Sequence, residues 1–445
     1  MPIAKRSRPS PVHVGMVSLA LVASLAASEP ARAAAPETSR VAVSSAGDPS
    51  NQSSYYFAIS PTGRFVAFDS EGTNLTTGDG NGVSDVFVRD RKRRKTERIS
   101  LSSAGAEGNG ESFDPAISTS GRHVAFSTRA TNLAGEDANG ADDVLVRDRK
   151  TRRTTRVSVR SDGTEANGHA TDPGISGNGR FVVFRALASN LVDGDGNGVS
   201  DVFVHDRARH ETTRVSVADD GGEANDDSGL TTNQSAISKS GRYVVFDSDA
   251  TNLVAGDTNL GQDVFVRDRK TRTTRRVSVS STGAEGNANS YNAAISASGR
   301  YVVFTSSADN LVPGDTNGTN DVFVHDRQTH ETTRANLTSD GLEGNGSAND
   351  GGISADGRFV VFVSTAANLV LDDTNQRPDV FLRDRTLGTT TRLSVGPAGV
   401  EANDNSFDCA LSADGRFVGF DSYATNLVAG DLDPSQEVFL RGPLR

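Results

Sequence analysis

Tryptophan is absent from this chain of 445 residues, cysteine occurs once, methionine twice, and aromatic residues make up only 6%. The single cysteine, Cys409, excludes an internal disulfide, so stability must come from packing or from bound ions. It falls on an expected innermost strand and reads as a buried, inert thiol. Without tryptophan the sialidase Asp-box, S-x-D-x-G-x-x-W, cannot be completed. No G-x-S-x-G nucleophile elbow occurs. Beyond the N-terminus there is no long apolar run, so no later segment is expected to cross a bilayer as a helix. Hydrophobic residues amount to 35%, low for a helical or α/β enzyme of this size. Histidine is sparse too. His205, His210, His325 and His330 fall in turns of non-adjacent units and read as solvated, while His123 and His169 stand alone. That leaves no histidine group of the sort a metal-dependent lyase needs.

What is abundant is glycine, with 45 residues, and acid. Lys5, Arg6 and Arg8, then an apolar stretch from Val12 to Ala27, then the small residues of "ARAAAP", read as an export signal cleaved after Ala33 or Ala35. The expected division is a signal peptide over 1–33 and one repeat-built domain over 34–445. Loss of 1–33, with Lys5, Arg6, Arg8, Arg32 and Glu29, takes the net charge from −11 to −14. Such a chain is a poor partner for nucleic acid or an anionic membrane surface. It is expected to be secreted or periplasmic.

A Gly-Arg pair ends at Arg64, Arg122, Arg180, Arg242, Arg300, Arg358 and Arg416, at spacings of 58, 58, 62, 58, 58 and 58. Seven units follow, the fourth lengthened around "DDSGLTTNQS". Each carries four strand signals. In order they are a short one such as "PAIS" (115–118), an apolar one such as "RFVAF" (64–68), "DVFVRD" (85–90), and "TRVSV" (155–159). Consecutive apolar positions in the second signal fit a strand covered on both faces. Four antiparallel strands repeated seven times predict an all-β, seven-bladed β-propeller. The chain ends support it. The last unit stops after its third strand, "EVFLRGPLR" (437–445), and an unpartnered fourth strand, "SRVAV" (39–43), precedes the first. Pairing of these two would close the ring and leave no mismatched edge.

"SADGRFVVF" (354–362), "SADGRFVGF" (412–420) and "SPTGRFVAF" (60–68) resemble the S-P-D-G-[KR]-x-[IVL]-[AV]-F signature of the TolB-type, WD-like propeller repeat, over nearly all of 39–445. The resemblance implies the propeller fold and an exported binding platform. It does not assign a function, since such blades serve scaffolds, enzymes and protease gates.

Antiparallel alternation sends the connections between strands two and three, and from strand four to the next blade, to one face. That face collects a recurring D-x-N-G-x-x-D motif: Asp79/Asn81/Asp85, Asp137/Asn139/Asp143, Asp195/Asn197/Asp201, Asp315/Asn317/Asp321 and, with three acids, Asp431/Asp433/Glu437. Leu260 and Gln376 replace the glycine in the sets Asp257/Asn259/Asp263 and Asp373/Asn375/Asp379, making these the weakest. The same face collects Glu107, Glu165, Glu223, Glu285, Glu343 and Glu401. Hard oxygen donors at alternate positions of a tight loop suit Ca²⁺, so calcium is the expected metal. Asp and Asn in such loops also cap their own backbone, which is the competing reading. The opposite face collects "RDRK" turns, whose Asp–Arg pairs are expected to be worth little. Tyr55, Tyr56, Phe113, Tyr291 and Phe407 precede innermost strands; packing between blades is the favoured reading, and lining the channel mouth is the alternative.

These readings together predict a monomeric, non-enzymatic scaffold that binds a protein or extracellular ligand on its acidic face. The alternative is a hydrolase or lyase acting on an extracellular polysaccharide or glycoconjugate. A non-repeated cluster of acids or histidines at the channel mouth would favour the alternative.

Overall fold

The computed structural model describes residues 1–4, 6–11, 36–230 and 236–444. The chain divides into Met1–Ala34 and Ala35–Arg445. The first unit has no helix or strand among its described residues, and the expected cleavage region lies outside them. No described helix is long and apolar enough to cross a membrane.

In the second unit each repeat forms one four-stranded antiparallel sheet. Blade one is Ser54–Ile59, Phe65–Ser70, Asp85–Asp90 and Lys95–Arg98. The pattern recurs around a seven-bladed propeller, with no α-helix among the described residues. Among the described residues, the first strand of the lengthened fourth blade is Ser228–Gly229, with an isolated Ile237–Val244 bridge beyond it. Closure occurs as expected. Glu37–Arg40 pairs antiparallel with Glu437–Gly442, placing Ser39 opposite Leu440 and Arg40 opposite Phe439.

The fourth strands begin and end earlier than the sequence suggested. Arg153–Arg156 takes the place expected for 155–159. The chain leaves the ladder after Arg156 because Ser158 takes over the pairing: its Oγ accepts the Val144 N–H at 3.1 Å and donates to Asp143 at 2.7 Å. Beyond that bend, Val159 bridges Glu165 and turns the chain into the acidic loop.

The core lies between blades. One cluster joins Val144 and Val146 of blade two to Val182, Phe184 and Phe203 of blade three, and another carries Val438 and Leu440 across the seam to Val66 and Phe68. Paired phenylalanines stack across strands two and three, as Phe68 and Phe87 do at 5.8 Å. Sandwiching each sheet between neighbours explains why strands two and three are apolar at successive positions.

The S-x-x-G-R-[FY] signature locks blade to blade. Ser60 Oγ accepts the Phe65 N–H at 2.9 Å, and Gly63 N–H closes the turn on the Ser60 carbonyl at 2.8 Å. The turn glycine has a second duty. Gly121 has φ +68°, and a Cβ there would overlap the Phe65 ring of the preceding blade. Phe65 is also covered by Arg64, at 4.5 Å, and by Arg149 of the next blade, at 5.0 Å. On the same face Arg64 forks onto Asp90 at 3.1 and 2.7 Å, an arrangement repeated by Arg122–Asp148 and Arg300–Asp326. The arginine-rich turns therefore tie strands together by bidentate pairs and join neighbouring blades by cation–π contacts. They are more than the solvated surface pairs the sequence suggested.

Candidate functional site

Two groups of acids share one face. The first is the repeated loop set. In blade one Asp79, Asp85 and Glu107 come together, their carboxylate oxygens within 4.8 Å of one another, and blades two to five repeat the group. Such groups are able to hold a metal ion. An arginine of the fourth strand also reaches into each. Arg98 Nη1 lies 2.9 Å from Asp85 and 3.4 Å from Asp79, and it contacts Glu107. Arg156, Arg214, Arg276, Arg334 and Arg392 reach the equivalent acids in the next five blades.

The asparagine of the motif behaves as a clamp. Asn81 Nδ2 donates to Asp85 and to the Gly108 carbonyl, both at 3.1 Å, and its Oδ1 accepts the Val83 N–H at 3.2 Å. Asn139 Nδ2 donates to the Ala166 carbonyl at 2.7 Å, and its Oδ1 accepts the Ala141 N–H at 2.6 Å. Asn197 Nδ2 reaches Asp201 at 3.2 Å and the Ala224 carbonyl at 3.0 Å, with Oδ1 on the Val199 N–H at 3.1 Å. Asn317 Nδ2 reaches Asp321 at 3.0 Å and the Gly344 carbonyl at 3.1 Å, with Oδ1 on the Thr319 N–H at 2.8 Å.

This corrects the expected donor set. An amide that turns its NH₂ toward a carboxylate and a carbonyl points its oxygen elsewhere. Asn81, Asn139, Asn197 and Asn317 therefore spend Oδ1 on their own turns. The third acid beside each aspartate pair is instead Glu107, Glu165, Glu223 or Glu343, which arrives from the loop before the next blade.

Where leucine and glutamine replace the glycine the loop survives. Leu260 and Gln376 adopt φ +56° and +55°, close to the +69° of Gly82. In blade seven Arg40 pairs with Asp431 at 2.7 Å and Glu437 at 2.6 Å, while Asp433 turns away to cap the Ser435 N–H at 3.0 Å.

Electrostatics follow from burial. Desolvation and the neighbouring Asp85 raise Asp79 to about 6. Burial raises Glu437 to about 7 despite Arg40. Desolvation would raise Glu107, yet backbone N–H groups and Arg98 hold it below its usual value.

The second group was not singled out in the sequence. Most first strands have an irregularity near their start, such as the register shift between Phe113 and Ala116. In five blades the bulged residue is Asp or Asn in the left-handed region: Asp114, Asp172, Asn292, Asp350 and Asp408, at φ +50°, +56°, +51°, +55° and +26°. Asp and Asn tolerate this conformation better than other side chains, and a bulge re-aims the residue it carries. Asp114 and Asp172 line the central channel, a cavity of about 100 Å³ walled below by Ile117, Ile175 and their equivalents. Asp69 and Asp421, near the ends of second strands in blades one and seven, belong to the same quarter of the mouth.

These carboxyls feel one another. Burial, then Asp172 and Asp408, raise Asp114 to about 7, and burial and Asp408 raise Asp350 to about 6. Asp69 is pushed well above the usual range by burial and Asp114, and Asp421 by burial and Asp408. Tyr56 occupies the equivalent bulge position in blade one and is raised by partial burial and by Asp114. The bulge acids recur in several blades, but the acid near the end of strand two does not recur in most of them. At the position of Asp69 the other blades carry Ser127, Arg185, Asp247, Thr305, Val363 and Asp421. That departure from the repeat was the available signal. Of the acids or histidines expected to mark an exception, the acids do so here, and aspartate hides among many others in the sequence.

Other candidates fall into place. Cys409 is fully buried and donates to the Asp350 carbonyl at 2.8 Å, so its thiol is inert as expected. His205 and His325 are not solvated. Each is buried against a threonine at 2.9 Å, where blades one, two, four, six and seven have arginine. Burial lowers both to about 4. Tyr291 accepts a hydrogen bond from Asn320 at 2.7 Å, and Phe113 lies under Arg129 at 5.4 Å.

The arrangement defines a closed propeller with an acidic channel mouth. No family model and no curated protein match the chain. Solved structures do. An oligogalacturonate lyase in complex with manganese is similar at TM-score 0.53 and 13% identity, over 91% of this chain and 93% of that one. The β-propeller domain of the Trilobed protease from Pyrococcus furiosus is similar at 0.52 and 11%, over 88% and 98%. TolB from Acinetobacter baumannii is similar at 0.41 and 14%, over 77% of this chain and 63% of that one, so the chain spans under two thirds of that protein's length. The TolB-type signature sits where a propeller blade places it, in the turn between strands one and two. The expectation of a chain without enzymatic activity does not stand. Similar propellers include a lyase and the propeller domain of a protease, so the fold alone does not exclude catalysis.

Proposed function

We propose that this protein is exported and binds an extracellular ligand at the mouth of its channel, on the acidic face. The acid group at the mouth carries the reading of the mouth as the ligand site, and by the criterion drawn from the sequence it equally favours the enzymatic alternative. Features present in every blade serve the fold they share. Asp69, Asp114, Asp408 and Asp421 gather in one quarter, at a cost in desolvation that the fold does not require. The test is a binding screen of the processed protein against glycans and envelope proteins, repeated with a double variant, Asp114→Asn with Tyr56→Ala. Equal capture of every ligand by the variant would end this reading.

A second reading has a specific observation behind it. Asp114, raised to about 7, would be partly protonated near neutrality, and it feels the charges of Asp172 and Asp408. A carboxyl poised in this way is what acid–base chemistry uses. The substrate would be an extracellular polysaccharide or glycoconjugate. Turnover lost in Asp114→Asn with binding retained would support it, and no turnover across a broad polysaccharide and glycoside panel would sink it.

For the repeated loops, we read the arginine as holding the position that calcium was expected to take beside Asp79, Asp85 and their equivalents. The triple contact of Arg98 supports this, as does the use of each motif asparagine within its own turn. Calcium would have to displace the guanidinium.

A further inference from the structure

The mouth differs from the loops in one respect that bears on its ligand. The acid groups of the loops in blades one to six each have an arginine from their own blade. At the mouth, among the described residues, Asp69, Asp114 and Asp421 have no ion pair. Oδ1 of each is buried without any hydrogen-bond partner, and the residues are 2%, 7% and 1% exposed. The donors that do reach them are neutral: Ser84 Oγ to Asp69 at 3.4 Å, and Gln436 Nε2 to Asp421. Arg185, the cation whose charge acts on Asp172, stands in blade three. Three unsatisfied carboxyl oxygens, that of Asp114 in the channel wall and those of Asp69 and Asp421 buried close enough to feel its charge or each other's, form a receptor for positive charge that the chain itself does not supply.

The second observation concerns the walls. Tyr56 and Tyr423 are 39% and 38% exposed, among the few large apolar rings left open to solvent. Phe407 meets Tyr423 edge to face at 6.1 Å and lies opposite Asp421 in the ladder. The Tyr423 hydroxyl is tied to Gln436 at 2.9 Å, and Gln436 in turn donates to Asp421. Tyrosine rings beside carboxylates suit a cation that carries carbon and N–H groups, through ring-face attraction and charge-assisted hydrogen bonds together. An inorganic cation gains nothing from rings and wants oxygen on all sides.

We propose that the channel mouth is an organic-cation site, in which Asp69, Asp114 and Asp421, with the rings of Tyr56 and Tyr423, receive a primary ammonium or guanidinium group borne by the ligand. This rests on the reading of the mouth as the ligand site. The group has three sources: a free polyamine, an amino sugar of a polymer, or a Lys or Arg side chain of a polypeptide.

The processed protein is titrated calorimetrically with spermidine, a chitosan oligomer, a Lys/Arg-rich peptide, an uncharged cello-oligosaccharide and calcium chloride. Asp114→Asn, which keeps the side-chain shape, and Tyr56→Leu are compared, with melting curves to verify folding. At least one amine probe should saturate, weakened roughly tenfold or more by Asp114→Asn and by less in Tyr56→Leu. Which probe binds best identifies the source. If no amine probe saturates, or native and Asp114→Asn proteins bind alike, the organic-cation site is wrong. Calcium binding that depends on Asp114, with the amines silent, overturns it in favour of an inorganic ion. An uncharged oligosaccharide that binds through Tyr56 but not Asp114 also overturns it, while leaving the mouth as the ligand site.

Discussion

Removing the arginine at the centre of one acidic loop tests how these blades are held. In Arg214→Met, Asp195, Asp201 and Glu223 lose the guanidinium that lies 3.6 Å from the first, 3.0 Å from the second and in contact with the third. The Gly194 carbonyl loses a donor at 3.1 Å. Arg214 and Asp201 are 8% and 1% exposed in their side chains, so solvent does little to replace the pair. Breaking a buried pair from one side costs roughly 3–5 kcal/mol. At about 2 cal/mol/K per residue, a chain of this length unfolds with an entropy of about 0.85 kcal/mol/K, so the melting temperature should fall by about 4–6 °C. Asp195, already raised to about 6 by burial and Asp201, would take up a proton and relieve part of the loss in mild acid. Calorimetry at neutral and mildly acidic pH, with and without millimolar calcium, is the assay. Calcium should recover part of the loss in the variant and leave the native protein unchanged. A native protein that melts earlier in EDTA and later in calcium would refute the reasoning, as would a variant that melts within a degree of native.

Other outcomes follow from the same structure. Asp114 and Asp350 are raised, to about 7 and about 6, so the stability they contribute is full below their unfolded values and is lost as pH climbs through that range. The melting temperature should therefore rise on acidification from neutrality towards about pH 5, and Asp114→Asn should flatten that rise while stabilising the neutral protein. At lower pH the sign reverses. Asp268, which burial would raise, is held at about 2 by Arg242 and backbone N–H groups, and it loses its contribution as pH falls below the ordinary carboxylate range. Gly121→Ala should destabilise by about 2–4 kcal/mol, measured by urea unfolding, because the backbone is left-handed and the Phe65 ring fills the space. Arg40→Ala should cost roughly 3 kcal/mol and expose the N-terminal strand to limited proteolysis, since Asp431 and Glu437 then face each other uncompensated at the seam.

The frame was legible because it is written seven times. A strand such as Asp85–Asp90 could be bounded to the residue, with Asp at each end and apolar residues between. The fourth strands, expected at 155–159 and found at Arg153–Arg156, end early because a serine side chain, not the backbone, ends the ladder, and propensity does not show that. The loop aspartates were legible as a set. Their arginines were not, although Arg98, Arg156 and Arg214 recur at one offset, because an arginine on an exposed-looking strand reads as solvated. Which way an amide such as Asn197 turns is equally hidden, since it depends on the Ala224 carbonyl of the following loop. The mouth acids were hardest to read. Asp114 and Asp408 sit on bulges that shift the alternation, and only the ring brings blades one, two and seven together around the channel.

The seam imposes an order on assembly. Thr38 meets Arg441 and Arg40 meets Phe439, nearly four hundred positions apart, whereas every other ladder joins near neighbours in the chain. During folding the strand Glu37–Arg40 must wait, its hydrogen-bonding groups open, until Glu437–Gly442 is in place. Six blades can stack before then, but the last ladder of the ring forms only when these two strands meet. Truncation by a handful of C-terminal residues would therefore release two sticky edges at once, and a second copy could take up the abandoned strand.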